Sequence, residues 1–220
     1  MIHSIRSSRI LAATVALTLA SACVTTTSGS TRAVPTGPWL EPSPALRAQI
    51  EDRAMRLPWS HGSERVEMIQ WFASVGEPGY ETLLSLARDT RPDVAGAAFA
   101  ALGATRDSRL VEHLRAVPDL AGPDNVDLRL ERARTLLRLG DWQAVPVLIS
   151  GLRDDRAITR ALCAQALFEA THEKFEFDPK GDPQAREQAV QRWSDWWDQR
   201  RKDTLLPAPK PAAQSSTIDE

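Results

Sequence analysis

The chain has little of what most active sites are built from. It holds two cysteines, Cys23 and Cys163, too few for a disulfide framework. Its four histidines are His3, His61, His113 and His172, and none recurs at the i, i+4 spacing of a zinc helix. His172-Glu173 starts such a motif, but Phe175 and Glu176 stand where the second histidine is needed. No Gly-rich phosphate loop, paired-cysteine metal spacing or serine nucleophile elbow occurs, and no apolar run is long enough to span a bilayer. The sequence therefore names no catalytic residue, metal or cofactor, and the expectation is a protein that is not an enzyme. A metal set of His172, Glu173 and Asp178 competes with a polar helix end entering a loop. Strands are missing too: the only candidate for alternation, residues 174–177, is too short to count.

What is present begins with an address. Arg6 and Arg9 precede an apolar stretch of 11 residues, Ile10 to Ala20, and small residues lead into Cys23. That order of charge, apolar core and small residues reads as a targeting segment over residues 1–22. The stretch Leu17 to Val24, LTLASACV, resembles the lipobox of bacterial lipoproteins. The resemblance implies a signal peptide cut before Cys23, lipidation of Cys23, and, because no acidic residue follows it, the outer membrane facing the periplasm. The other reading is an ordinary secretory signal with Cys23 as a spare thiol. Loss of residues 1–22 removes two arginines and no acid, moving the formal net charge from −2 to −4, which speaks against nucleic acid as a partner. Residues 23–43, rich in Thr, Ser, Gly and Pro, read as a flexible tether, and residues 203–220 as a disordered tail.

Between them, residues 44–202 carry helical periodicity throughout. Tyr80, Leu83, Leu84 and Ala87 fall at i, i+3, i+4 and i+7; Val94, Ala97, Ala98, Ala101 and Leu102, then Val145, Leu148, Ile149 and Leu152, repeat the pattern. Breaks at Pro92, Gly103, Gly122-Pro123 and Gly140 divide the segment into helices near 44–57, 63–75, 78–89, 92–104, 108–117, 126–139, 142–152, 156–170 and 183–201, with Gly103 and Gly140 expected as left-handed caps. The fold class is all-α.

An offset of 65 residues aligns LLSLARDTR, from Leu83, with LISGLRDDR, from Leu148, so that Arg88, Asp89 and Arg91 fall on Arg153, Asp154 and Arg156. Ala101-Leu102 falls on Ala166-Leu167. Half of that offset is close to one helix pair. These stretches resemble HEAT repeats of the short bacterial, phycobilisome-lyase-like kind. The resemblance covers residues 77–172 and implies a short α-solenoid of antiparallel helix pairs, an armadillo-like helical scaffold for protein binding with no chemistry of its own.

Two features remain open. Residues 183–201 place Ala189, Val190, Trp193, Trp196 and Trp197 on one helix face, either a cap closing the solenoid or an aromatic platform for a cell-wall sugar, in which case Trp196 is the indole left free. Arg129, Arg132, Arg134, Arg138, Arg156 and Arg160 fall on the second helices of adjacent repeats. They form either a solvated ridge balanced by Glu131, Asp154 and Asp155 or a docking stripe for an acidic partner segment. Cys163, in an Ala-rich helix, reads as a small core residue and not a nucleophile. The expected function is a membrane-anchored protein-binding scaffold at the cell envelope with no small-molecule substrate, and the alternative is a glycan-binding module.

Overall fold

The computed structural model describes residues 39–118 and 125–204. The signal segment, Cys23, most of the tether and the loop at Gly122-Pro123 lie outside the described residues, as does the tail beyond residue 204. Among the described residues the chain is all-helical: α1 Pro44–Arg56, α2 Gly62–Val75, α3 Tyr80–Leu86, α4 Pro92–Thr105, α5 Leu110–Arg115, α6 Val126–Arg138, α7 Val145–Gly151, α8 Ala157–Thr171 and α9 Pro183–Thr204. Single 3-10 turns at Leu57–Trp59, Glu77–Gly79 and Trp142–Ala144 lead out of α1 and into α3 and α7. None of these helices is long and apolar enough to cross a membrane.

Local chemistry explains the starts. Ser43 caps α1 by accepting from Leu46 N at 3.3 Å with Pro44 in the first turn, and Asn125 caps α6 by accepting from Leu128 N at 3.0 Å. Aspartates two residues before a main-chain N–H shape four further turns. Asp89 accepts from Arg91 N at 2.9 Å before α4, and Asp154 accepts from Arg156 N at 2.9 Å before α8, the pair that the 65-residue offset superposes. Asp107 with Arg109 N, at 3.0 Å, and Asp141 with Gln143 N, at 3.0 Å, build the same Asx turn on the opposite side of the pairs.

The helix ends differ from expectation in one place. Gly140, with φ 94°, follows Leu139 in the left-handed region as foreseen. Gly103 does not cap α4. It is buried inside that helix, where a Cβ would stand 3.3 Å from Thr135 Cα, and the left-handed cap is Arg106 at φ 55°. The glycine serves the crossing of α4 and α6, which is tied by Thr135 Oγ1 donating to the Phe99 carbonyl at 2.9 Å.

Packing runs along the chain. Helices α2, α4, α6 and α8 pack each on the next, while α3 packs on α4, α7 on α6 and α8, and α9 on α7. One core joins Trp39, Ile50, Phe72, Tyr80, Phe99, Leu102, Leu110 and Leu114; a second joins Leu137, Val145, Leu148, Leu167, Val190, Trp193 and Trp197. Leu136 touches both. The expectation of a flexible tether over residues 23–43 does not hold at Trp39 and Leu40. Trp39 is buried edge-on against Tyr80 at 5.0 Å between ring centroids, and Leu40 N donates to Glu77 Oε1 at 3.0 Å. An indole gains more by leaving water than the Pro-rich context suggests.

Candidate functional site

Because α2, α4, α6 and α8 lie side by side, residues one helical turn apart on each helix come to a common surface. There they line a groove of about 680 Å³. Its floor is small: Gly96, Ala97 and Ala100 of α4 leave room that larger side chains would fill. Its walls are apolar at Ile69, Ile158 and Leu162, and Ile158 is 66% exposed, an unusual state for isoleucine.

Charged side chains along the groove are held in pairs. Arg65 of α2 donates from Nη2 to Asp93 of α4 at 2.9 Å, and Arg134 donates from Nη1 to Glu131 on its own helix at 2.5 Å. Arg138 of α6 reaches Glu169 of α8 at 3.3 Å. Arg156, ahead of α8, holds Asp127 of α6 through Nη1 at 2.7 Å and through Nη2, and bonds Asp154 through Nε at 3.1 Å. The guanidinium beside them holds the carboxyls of Asp127 and Asp154 below the usual range.

The six arginines singled out in sequence thus separate. Arg134, Arg138 and Arg156 line the groove, each with a carboxylate partner. Arg132 and Arg160 do not belong to a docking stripe. Arg132 donates to the carbonyls of Leu114 and Arg115 at 2.9 and 2.8 Å, closing the end of α5. Arg160 is 7% exposed and clamps the carbonyls of Asp154, Asp155 and Pro179 at 2.5 to 2.8 Å. Arg129 is exposed on α6, outside the groove lining. A continuous row of unpaired cations is therefore not formed. Glu131 and Asp154 balance the ridge, joined by Asp127, which the sequence reading overlooked because it approaches Arg156 from another helix.

Cys163 is among the residues lining the groove but is fully buried, with burial pushing its thiol up to about 12. Among the described residues no three His, Cys, Asp or Glu side chains gather as a metal site, so His172, Glu173 and Asp178 do not form one.

At the far end, Trp193 and Trp197 are buried and Trp196 is half-buried. The Trp196 ring is contacted by Phe175, Trp193 and Trp197 at centroid separations of 6.3, 5.6 and 6.4 Å, with the Arg200 guanidinium 5.5 Å above it. The most exposed aromatic is instead Trp59, 78% exposed in the turn after α1, which periodicity did not flag. Arg65, like Asp127, is a groove residue that sequence reasoning missed, since α2 lies outside residues 77–172, over which the offset and its resemblance were read. Compared with family models, curated proteins and solved structures, the chain matches none.

Proposed function

We propose that this chain is a HEAT-like α-solenoid, lipid-anchored at Cys23 on the outer membrane facing the periplasm, that acts as a non-catalytic scaffold and binds another protein along the groove of α2, α4, α6 and α8. The observation that carries the reading is the groove itself, with its small floor and exposed Ile158, on the helix row that lines the concave side in HEAT-type arrays. The matching Asx turns at Asp89 and Asp154 support three helix pairs, α3 with α4, α5 with α6, and α7 with α8. In this reading α9 is the cap: it lays Ala189, Val190, Trp193 and Trp197 against α7, as an open solenoid end requires. An anchor near the membrane raises the local concentration of any membrane-bound partner.

The glycan-binding alternative rests on Trp196 keeping part of its ring at the surface, but its neighbours occupy much of that ring. A photocrosslinking side chain placed at Ile158, and separately at Trp196, tests the two in the native envelope. The scaffold reading expects a discrete protein adduct from Ile158; adducts to cell-wall glycan from Trp196 alone would replace it. The anchor is tested by labelling with radioactive palmitate, which Cys23→Ser abolishes if Cys23 carries the lipid.

A further inference from the structure

The row of α2, α4, α6 and α8 has two ends, and they differ in chemistry. Inside the row, the face of α4 that receives α6 is marked by Gly96, Phe99 and Gly103. Leu128 approaches the first glycine and Thr135 the second, and Thr135 bonds the Phe99 carbonyl. The 65-residue offset carries these three positions onto Ala161, Ala164 and Phe168 of α8. There no further helix of the row follows among the described residues, and α9 packs on α7. At the other end, the outward face of α2 carries Ser63, Glu67, Gln70 and Ser74, all exposed, with Val66 beside them. That is the polar finish an open end needs to stay in water. The outward face of α8 is different. Ile158, Ala161, Gln165 and Phe168 fall there at i, i+3, i+7 and i+10, opposite the buried Thr159, Cys163, Ala166 and Leu167. Ile158 is 66% and Phe168 37% exposed, and a cavity of about 340 Å³ borders Phe168 and Ala164. Among the described helices, α8 is the one that exposes two large apolar side chains.

This uncharged stripe complements itself. A two-fold axis beside Cys163, midway between Ile158 and Phe168, runs two copies of α8 antiparallel. It sets Ile158 of each copy against Phe168 of the other. Ala161 falls against Gln165, whose amide is turned aside to Glu169 at 2.8 Å, so the middle of the stripe is small and the helices can close. The charges at its ends agree with the same axis. Lys174 Nζ lies 4.8 Å from the centre of the Phe168 ring and has no carboxylate partner among the described residues. Asp155, exposed three residues ahead of Ile158, has a carboxylate equally without a partner there. Joining Phe168 to Ile158 brings each Lys174 within about one helical turn of the other copy's Asp155. Arg156, nearby, is already neutralised by Asp127 and Asp154. Neighbours within the row run parallel, since Gly96 and Gly103 meet Leu128 and Thr135 in the same order. A two-fold axis reverses that direction at the junction, so the contact closes on itself and builds no filament.

We propose that two copies of this chain form a two-fold dimer through the outward face of α8, with the two helices antiparallel. The dimer stands on the row of helices and needs neither the anchor nor a groove partner. Its test is disulfide trapping between two differently tagged full-length copies, one Ile158→Cys and the other Phe168→Cys, co-expressed and oxidised in the native envelope. A disulfide needs Cα atoms within about 7 Å, so this mixed pair should be trapped about fivefold or more above either same-residue pair. Wild-type copies set the background. Ala161→Glu puts a carboxylate on the stripe at a half-buried position of α8, keeps a good helix former, and should abolish the trapped dimer. Lys174→Glu in both copies should weaken trapping, and adding Asp155→Lys should restore it. Same-residue pairs trapped as well as the mixed pair would overturn the antiparallel dimer. Trapping at the wild-type level, or trapping indifferent to Ala161→Glu, would overturn α8 as the contact. A second copy caught from Ile158 has twice the mass of one chain and is indifferent to Ala100→Phe in the groove floor, so adducts to other proteins alone judge the groove.

Discussion

Two glycines inside helices make opposite predictions from the same substitution. Replacing a helical glycine by alanine gains about 0.5–1 kcal/mol from the unfolded chain's lost freedom and the better helix propensity. At Gly96 an added Cβ meets only Leu128 Cδ1, at 3.9 Å, an ordinary contact, so Gly96→Ala keeps that gain. At Gly151, the last residue of α7, the Cβ would stand 2.5 Å from Cys163 Sγ and 2.8 Å from Leu130 Cδ2. Side chains on α6 and α8 must both give way, and overpacking of this kind costs about 1–3 kcal/mol. The end-of-helix position recovers only part of the propensity term, leaving Gly151→Ala less stable by about 1–2 kcal/mol. For a domain of this size each kcal/mol shifts Tm by about 2–4 °C. Thermal unfolding followed by circular dichroism should show Gly96→Ala raised by about 1–3 °C and Gly151→Ala lowered by about 3–6 °C. Adding Cys163→Ala relieves the Sγ contact but not that with Leu130, so the double variant should be more stable than the two single effects summed. Equal Tm changes for the two glycines, or strict additivity with Cys163→Ala, would refute the packing described between α6, α7 and α8.

Further outcomes follow from burial and charge. Cys163, fully buried and with its thiol pushed up to about 12, should resist a disulfide reagent at pH 8 in the folded protein and react only at the unfolding rate; immediate labelling contradicts its position. Arg160→Met removes four charge-assisted bonds to carbonyls from a residue 7% exposed and should lower stability by about 2–4 kcal/mol in urea titration, while a change below 1 kcal/mol would return Arg160 to the surface. Asp89, Asp107, Asp127, Asp154 and Glu187 all have carboxyl pKa values lowered, chiefly by arginine hydrogen bonds. A lowered folded pKa gives stability that is present above the ordinary carboxylate range, about 4, and lost as pH falls through the folded values. The urea midpoint should therefore hold between pH 7 and 5 and decline below 4, and a flat profile to pH 3 contradicts the ion pairs.

The positions of the helices were legible because each buries one stripe against a neighbour, and that stripe fixes the period of the sequence. Tertiary consequences were less so. Gly103 looks like a terminator after Leu102, and only the approach of Thr135 reveals a crossing glycine. Trp39 sits in a Thr- and Pro-rich stretch whose composition predicts solvent, yet its ring finds Tyr80 and His113. For the arginines, i, i+4 spacing says which residues share a face but not which carboxylates come across from the next helix. Asp127 reaching Arg156, and Glu169 reaching Arg138, are such crossings. Arg160 and Arg132 bind carbonyls of loops and helix ends, partners that carry no signature in side-chain type.

Function as a scaffold requires that a partner sit in the groove of α2, α4, α6 and α8. Photocrosslinking from Ile158 in the native envelope, run in parallel on the wild-type chain and on Ala100→Phe, measures this. A discrete protein adduct in the first that disappears in the second, with both folded to the same helicity, is the predicted result. An adduct that survives the filled floor would place the partner elsewhere and contradict the groove as the site of function.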